Sequence, residues 1–288
     1  MLAVATIAAG LTSNFESHAE TSIVLQSDRV IESSGLAVSR RDPECFWTHN
    51  DSGDTAVLYA FDRQGNLTGT ATLDGVTAID WEDMASFRDG ASDRLLVADV
   101  GDNLRKRDFI SLYFFDEPDP HANERVSEFT RVDVRYADGA KDCEAVAVDG
   151  RRRQVWLVGK SFLPLATCDT IPLPAVNAAP EIEVTATRVG AIPVPLVSAM
   201  DIEPRSGEIV VVNYFQCFRF DNTAQADAGA WMSSVARMNE LPRLRQIEAI
   251  AFDDAGQLWL TSEGSPAILQ RFDTAVRPPS SPNGLPSQ

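Results

Sequence analysis

Five oxygen-bearing side chains recur at one place in a repeated strand pattern: Ser34, Glu82, Glu144, Ser198 and Glu248. Each opens a short segment: SGLAVS at 34–39, EDMASF at 82–87, EAVAVD at 144–149, SAMDIE at 198–203 and EAIAFD at 248–253. The leads lie 48, 62, 54 and 50 residues apart, the length of a four-stranded propeller blade. Equivalent positions on innermost strands face one axis, so these five residues predict a ring of oxygen ligands, three of them carboxylates. Carboxylates crowded together in this way resist ionising together. A hard cation that takes oxygen ligands relieves the repulsion, and Ca2+ is the expected occupant.

A second set of polar residues follows the second strand of each repeat. It reads HNDSGD at 49–54, DVGDN at 99–103 with Arg107, GKS at 159–161, NY at 213–214 and SEG at 262–264. Apolar strands that run into charged loops at matching positions predict one shared mouth. Asp51, Asp54, Asp99, Asp102 and Glu263, mixed with Lys160 and Arg107, suit a phosphate ester. The two cations would hold the phosphate, and the carboxylates would orient water or a metal. On this reading Asp51 belongs to the mouth and acts apart from the axial ring. Each Asp equally suits an Asx turn. His49 reads as a strand-end hydrogen-bonder, and Trp81, Trp156 and Trp259 read as core. No GxSxG, HExxH, P-loop or dinucleotide-binding fingerprint occurs, and three histidines leave little room for a serine triad.

The elements that must position these residues are strands. Each lead segment is followed by a turn and a second apolar strand, at 45–49, 94–98, 155–158, 209–212 and 258–261. Third and fourth strands are legible in blade one at 57–61 and 67–73, with the polar hairpin DRQGN at 62–66 between them. Blade two includes 110–115 and the alternating 130–136. Blade three carries a proline-rich insertion at 172–180, and blade five shows only three strands, ending at 268–272. The expected architecture is an all-β, five-bladed propeller over residues 20–275. The missing strand of blade five is supplied by residues 22–26, which removes an open sheet edge. A six-bladed ring is the alternative, and it would need a further repeat.

Composition narrows the partners. Acidic residues outnumber basic ones by 42 to 25, and a net charge of −17 argues against nucleic acid or an anionic membrane. No apolar run is long enough to span a membrane. Residues 1–19, apolar and then polar, resemble the remnant of an export signal, which predicts a secreted or periplasmic protein. Residues 276–288, rich in Pro, Ser and Gly, predict a disordered tail. Cys45, Cys143, Cys168 and Cys217 form no CxxC pair, so they are either buried thiols or disulfides in one of three connectivities.

The motifs NDSG (50–53), DWED (80–83), GDN with Arg107 (101–107), DCEA (142–145) and SEG (262–264) resemble those of a family of uncharacterised secreted bacterial propellers over about residues 34–272. More distantly, the order Ser34, Glu82, Glu144, Ser198, Glu248 resembles the inner strands of calcium-activated nucleotidases, the secreted apyrases, which are five-bladed with an axial calcium ion. Residues 50–54 and 100–103 look like two of their loops, whereas their basic pair in blade three is reduced here to Gly159 and Lys160. The resemblance implies a calcium-dependent hydrolase of phosphate esters such as nucleotides. The alternatives are a non-catalytic propeller that binds a ligand or protein, and a phytase-like or lactonase- or esterase-like propeller hydrolase.

Overall fold

The computed structural model describes residues 22–222 and 227–273. The export-signal and tail segments of the sequence reading, 1–19 and 276–288, lie outside them. The described chain is almost entirely β. In chain order the strands are β1 (Ser22–Val24), then β2 (Ser33–Val38), β3 (Cys45–Asn50), β4 (Val57–Asp62) and β5 (Leu67–Leu73). Next come β6 (Trp81–Asp89), β7 (Ser92–Asp99), β8 (Ile110–Asp116), β9 (Asn123–Val126) and β10 (Thr130–Tyr136). They are followed by β11 (Cys143–Asp149), β12 (Gln154–Gly159), β13 (Ala166–Pro172) and β14 (Glu181–Ile192). The last are β15 (Val197–Ile202), β16 (Ile209–Asn213), β17 (Gln216–Phe220), β18 (Arg237–Glu240), β19 (Ile247–Phe252), β20 (Leu258–Ser262) and β21 (Ile268–Phe272). One short 3-10 turn, Ala230–Ser233, interrupts them, and no described helix is long and apolar enough to cross a membrane.

Burial tracks position within each sheet. Strands β2, β3 and β19 are buried at every residue, their polar residues as well as their apolar ones. The outlying β5 and β10 alternate buried and more exposed residues, the period-two pattern of a sheet face that meets solvent. The turns have a recurring device. Asp62 Oδ1 accepts the Gln64 and Asn66 amides, and Asp253 Oδ1 accepts those of Ala255 and Gln257. Gly65 and Gly256 occupy the left-handed backbone conformation that each of these tight turns requires.

Each of β2, β6, β11, β15 and β19 starts an antiparallel meander, and the five contact one another in a closed circuit, with β19 returning to β2. Hydrophobic clusters fill the spaces between successive meanders. One joins Ala85, Leu96 and Phe114 to Val146, Val155 and Ile171, and another joins Leu36, Phe46 and Phe61 to Ala249, Trp259 and Leu269. Side-chain staples also cross these spaces. Ser86 Oγ donates to the Val38 carbonyl at 2.6 Å, Asp83 Oδ2 accepts the Val146 amide at 2.9 Å, and Asp201 Oδ2 accepts the Phe252 amide at 2.7 Å.

The outer edges depart from independent four-stranded sheets. Strand β9, which follows β8, leaves its own meander and adds in parallel to β5. Strands β10 and β14 pair in parallel, joining two meanders into one eight-stranded sheet. Strand β1 pairs antiparallel with β21, Ser22 facing Gln270, and Gln26 bridges to Asn66. All four cysteines are free and buried.

Candidate metal centre

The five lead residues share a backbone irregularity. In β2 the register passes from the Ser33–Asn50 pair to Gly35–His49, skipping Ser34. In β6 it skips Glu82, in β11 Glu144, in β15 Ser198 and in β19 Glu248. Each lead is therefore the extra residue of a β-bulge, the device that re-aims one side chain out of the regular pleat. All five are buried. The two serines tie neighbouring strands: Ser34 Oγ donates to the Glu82 carbonyl at 2.9 Å and Ser198 Oγ to the Ile247 carbonyl at 3.0 Å.

The carboxylates have few partners. Glu144 Oε2 accepts from Lys160 Nζ at 2.9 Å, while Oε1 is buried with no hydrogen-bond partner. Glu248 Oε1 accepts from Gln246 Nε2 at 2.8 Å, and the same amide nitrogen reaches Glu263 Oε1 at 2.8 Å. Carboxylate oxygens of Glu82, Asp80 and Asp51 lie within 4.8 Å of one another. Glu82 Oε1 and Asp80 Oδ2 press against Gly101, where a methyl group would collide with both. Asp51, expected in a separate mouth, thus joins the ring. It follows β3 directly, and the bulge at Glu82 turns that side chain toward it.

Electrostatics reflects this crowding. Burial, then Glu144, Asp51 and Asp80, raise the Glu82 carboxyl well above its usual range. Burial pushes Glu144 up to about 8 against the opposing pull of Lys160, and Glu248 up to about 7 against Gln246 and Lys160. Asp80 rises to about 6 through burial and the neighbouring Asp51, with Arg107 opposing. Asp51 rises through burial, and Glu32 and Glu263 add to it. A set of oxygen donors short of positive charge, with one buried oxygen unpaired, fits a hard divalent cation. Among the described residues no histidine or cysteine shares this carboxylate cluster, so its donors are those of a hard, oxygen-seeking cation.

Several residues expected in a substrate pocket hold loops instead. Arg107 makes a 2.7 Å ion pair with Asp99 and donates to the Gly101 carbonyl, and Asp99 also accepts the Ile79 amide. Asp102 accepts the amides of Lys106 and Arg107. Asp54 accepts from the Asn50 amide group, the Thr55 N–H and the Tyr59 hydroxyl. Asp102 and Asp54 thus accept backbone amides of their own loops, one, four and five residues on. Lys160 pairs directly with Glu144 and has its ammonium 5.4 Å from the Tyr214 ring centre, whereas Arg107 acts on Asp80 through its charge while it is paired with Asp99. His49 is fully buried, hydrogen-bonds through Nδ1 to its neighbour's carbonyl at 2.9 Å, and is held neutral by burial, which lowers its pKa to about 4.

Two contributors carried a signal that the motifs already displayed. Asp80 precedes Glu82 by two residues, and Asp142 precedes Glu144 by two. On a bulged strand this spacing lets both acids serve one site, and Asp142 raises the pKa of Glu144 and of Asp80 alike. Gln246 occupies the same position before Glu248.

No family model and no curated protein matches the chain. Among solved structures it is similar to a glucose dehydrogenase (TM-score 0.51, 13% identity, 89% of this chain and 100% of that one). A second glucose dehydrogenase structure gives 0.52 and 12%, over 88% and 100% of the two chains. A gluconolactonase from Xanthomonas campestris gives 0.46 and 11%, over 83% and 71%. At these identities the likeness to the dehydrogenases is one of fold alone, and that fold is the β-propeller.

Proposed function

We propose that the chain is a five-bladed propeller, closed by β1, that binds calcium on its axis and hydrolyses a neutral lactone or ester. The closed circuit of five inner strands supports the blade count, and the β1–β21 pairing supports the closure. The axial cluster carries the functional reading: Asp51, Asp80 and Glu82 converge beside Glu144, whose Oε1 is buried and unpaired. Those oxygens, with the Ser34 and Ser198 hydroxyls, would hold the ion. A bound calcium ion would polarise the substrate carbonyl and favour attack by water.

The residues around it divide the remaining work. Glu248, oriented by Gln246, accepts a proton as water oxygen bonds to the carbonyl carbon. When the C–O bond to the leaving oxygen breaks, that proton passes to the alkoxide and regenerates the carboxylate. Lys160, kept charged by Glu144, supplies a fixed donor beside the developing oxyanion. A neutral substrate fits better than a phosphate ester because Arg107 is committed to Asp99, which leaves Lys160 as the cation at a strongly acidic mouth. The export expected from residues 1–19 would carry the protein to a calcium-rich compartment.

The test is a panel of sugar lactones, aryl esters and phosphate esters, run with calcium and with chelator, on wild type and Glu144→Gln. Calcium-dependent lactone or ester turnover, lost in the variant, is the expected result. Phosphate release would return the reading to an apyrase-like enzyme. A folded, calcium-binding protein inert on every substrate would make it a binding module.

A further inference from the structure

A second cluster of ligand-type side chains lies at the start of β3, the opposite end of that strand from Asp51. Cys45 Sγ is 3.7 Å from both Asp42 Oδ2 and His121 Nε2, and those two atoms are 2.8 Å apart. The three donors come from the β2–β3 turn, the start of β3 and the β8–β9 connection. We propose that Asp42, Cys45 and His121 form a zinc-class metal site, with the fourth coordination position open to water.

The spacing suits that ion. Zinc–sulfur and zinc–nitrogen bonds of about 2.3 and 2.0 Å place tetrahedral S and N ligands about 3.5 Å apart, and N and O ligands about 3.3 Å apart. The observed separations need shifts of only a few tenths of an ångström. One thiolate, one imidazole and one carboxylate is a borderline-soft donor set, unlike the all-oxygen axial cluster. Cys45 is buried, while the Asp42 and His121 side chains are 35% and 53% exposed, so water can reach the fourth position from outside.

The site is built into the fold. Asp42 Oδ1 accepts the Glu44 amide and its carbonyl accepts the Cys45 amide, which leaves Oδ2 for the cluster. His121 arrives from another meander along a segment fastened to β5. Thr68 Oγ1 donates to the Pro120 carbonyl at 2.7 Å, and the Thr70 amide donates to the Ala122 carbonyl at 3.0 Å. Gly69 permits this approach, since a methyl there would collide with both carbonyls. Beyond the cluster, β9 completes the attachment by pairing with β5. An Asp–His ion pair at the surface would itself gain little from such an arrangement. Burial, followed by the Asp42 charge, raises the Cys45 thiol to about 11, so metal binding would displace its proton.

The probe is Co2+, added to the reduced, chelator-treated full chain. A thiolate-to-cobalt charge-transfer band should grow in the near ultraviolet and saturate at one ion per chain. Zn2+ should abolish it and Ca2+ should not. Cys45→Ser should remove the band, and His121→Asn should weaken Co2+ binding by about tenfold or more. His121 is exposed enough that its variant leaves the core packing alone. Glu144→Gln should leave the band unchanged, which separates this site from the axial one. Absence of a thiolate band in the folded protein overturns the proposal. So does a band that survives in Cys45→Ser, or one whose Co2+ affinity is unchanged in His121→Asn.

Discussion

Lys160 donates to one oxygen of Glu144 at 2.9 Å and leaves the other oxygen of the same carboxylate buried and unpaired. The ammonium neutralises part of a ring that is otherwise acidic, and it occupies charge that a cation would also satisfy. Lys160→Met should therefore lower the melting temperature of the metal-free protein and tighten calcium binding by roughly tenfold, because one competing positive charge is gone. Calorimetric titration reads the affinity directly. An unchanged dissociation constant would mean that the ion sits elsewhere.

Stability should respond to pH in a direction set by the same ring. Glu144, Glu248 and Asp80 have folded-state values of about 8, 7 and 6, each above the ordinary carboxylate value. The folded, metal-free protein thus binds more protons than the unfolded chain between about pH 4.5 and 8, and its stability falls as pH rises through that window. Calcium replaces those protons, so its stabilising effect should grow with pH over the same range. Melting curves at pH 5 and pH 8, with calcium and with chelator, should show the larger gap at pH 8. A gap that does not widen would argue against the cation.

Gly101 offers a way to disturb the ring without removing a ligand. A methyl group there collides with Glu82 Oε1 and Asp80 Oδ2, while the backbone conformation itself tolerates alanine. Gly101→Ala should displace both carboxylates and weaken calcium binding by about tenfold or more, leaving the far-ultraviolet spectrum unchanged. Retained affinity would show that Asp80 and Glu82 do not hold the ion together.

Much of this arrangement was legible in the residues, and the rest was hidden for physical reasons. The periodic leads located all five inner strands because apolar runs and turn residues recur around them. The bulges were not legible, because a skipped residue changes pairing geometry and leaves no mark on composition. One bulge falls at Glu82, whose carboxylate lies with those of Asp51 and Asp80, so an Asp51 assigned to a separate mouth sits beside a lead residue. Arg107 misled for a different reason. A guanidinium near acids in a loop reads as a ligand-binding cation until its partner is known, and only the fold brings Asp99 to it. The parallel β5–β9 and β10–β14 pairings likewise depend on contacts between repeats, which a periodic reading treats as independent.

Stability should also depend on the contact between Arg107 and Asp99. Their ion pair is 2.7 Å long, with the Asp99 side chain 1% exposed and that of Arg107 16% exposed. Removing one partner of such a pair leaves a buried charge uncompensated, at a cost of about 3 kcal/mol. Arg107→Met should lower the melting temperature by about 6 °C or more. If Arg107 only holds the loop that carries Gly101, the Michaelis constant for a neutral ester or lactone should change little at a temperature where the variant is folded. If Arg107 instead binds a substrate phosphate, the variant should lose phosphate-ester affinity while keeping its stability. Denaturation and steady-state kinetics on one preparation separate the two roles. The second outcome would restore the phosphate-ester reading that the Asp99 contact argues against.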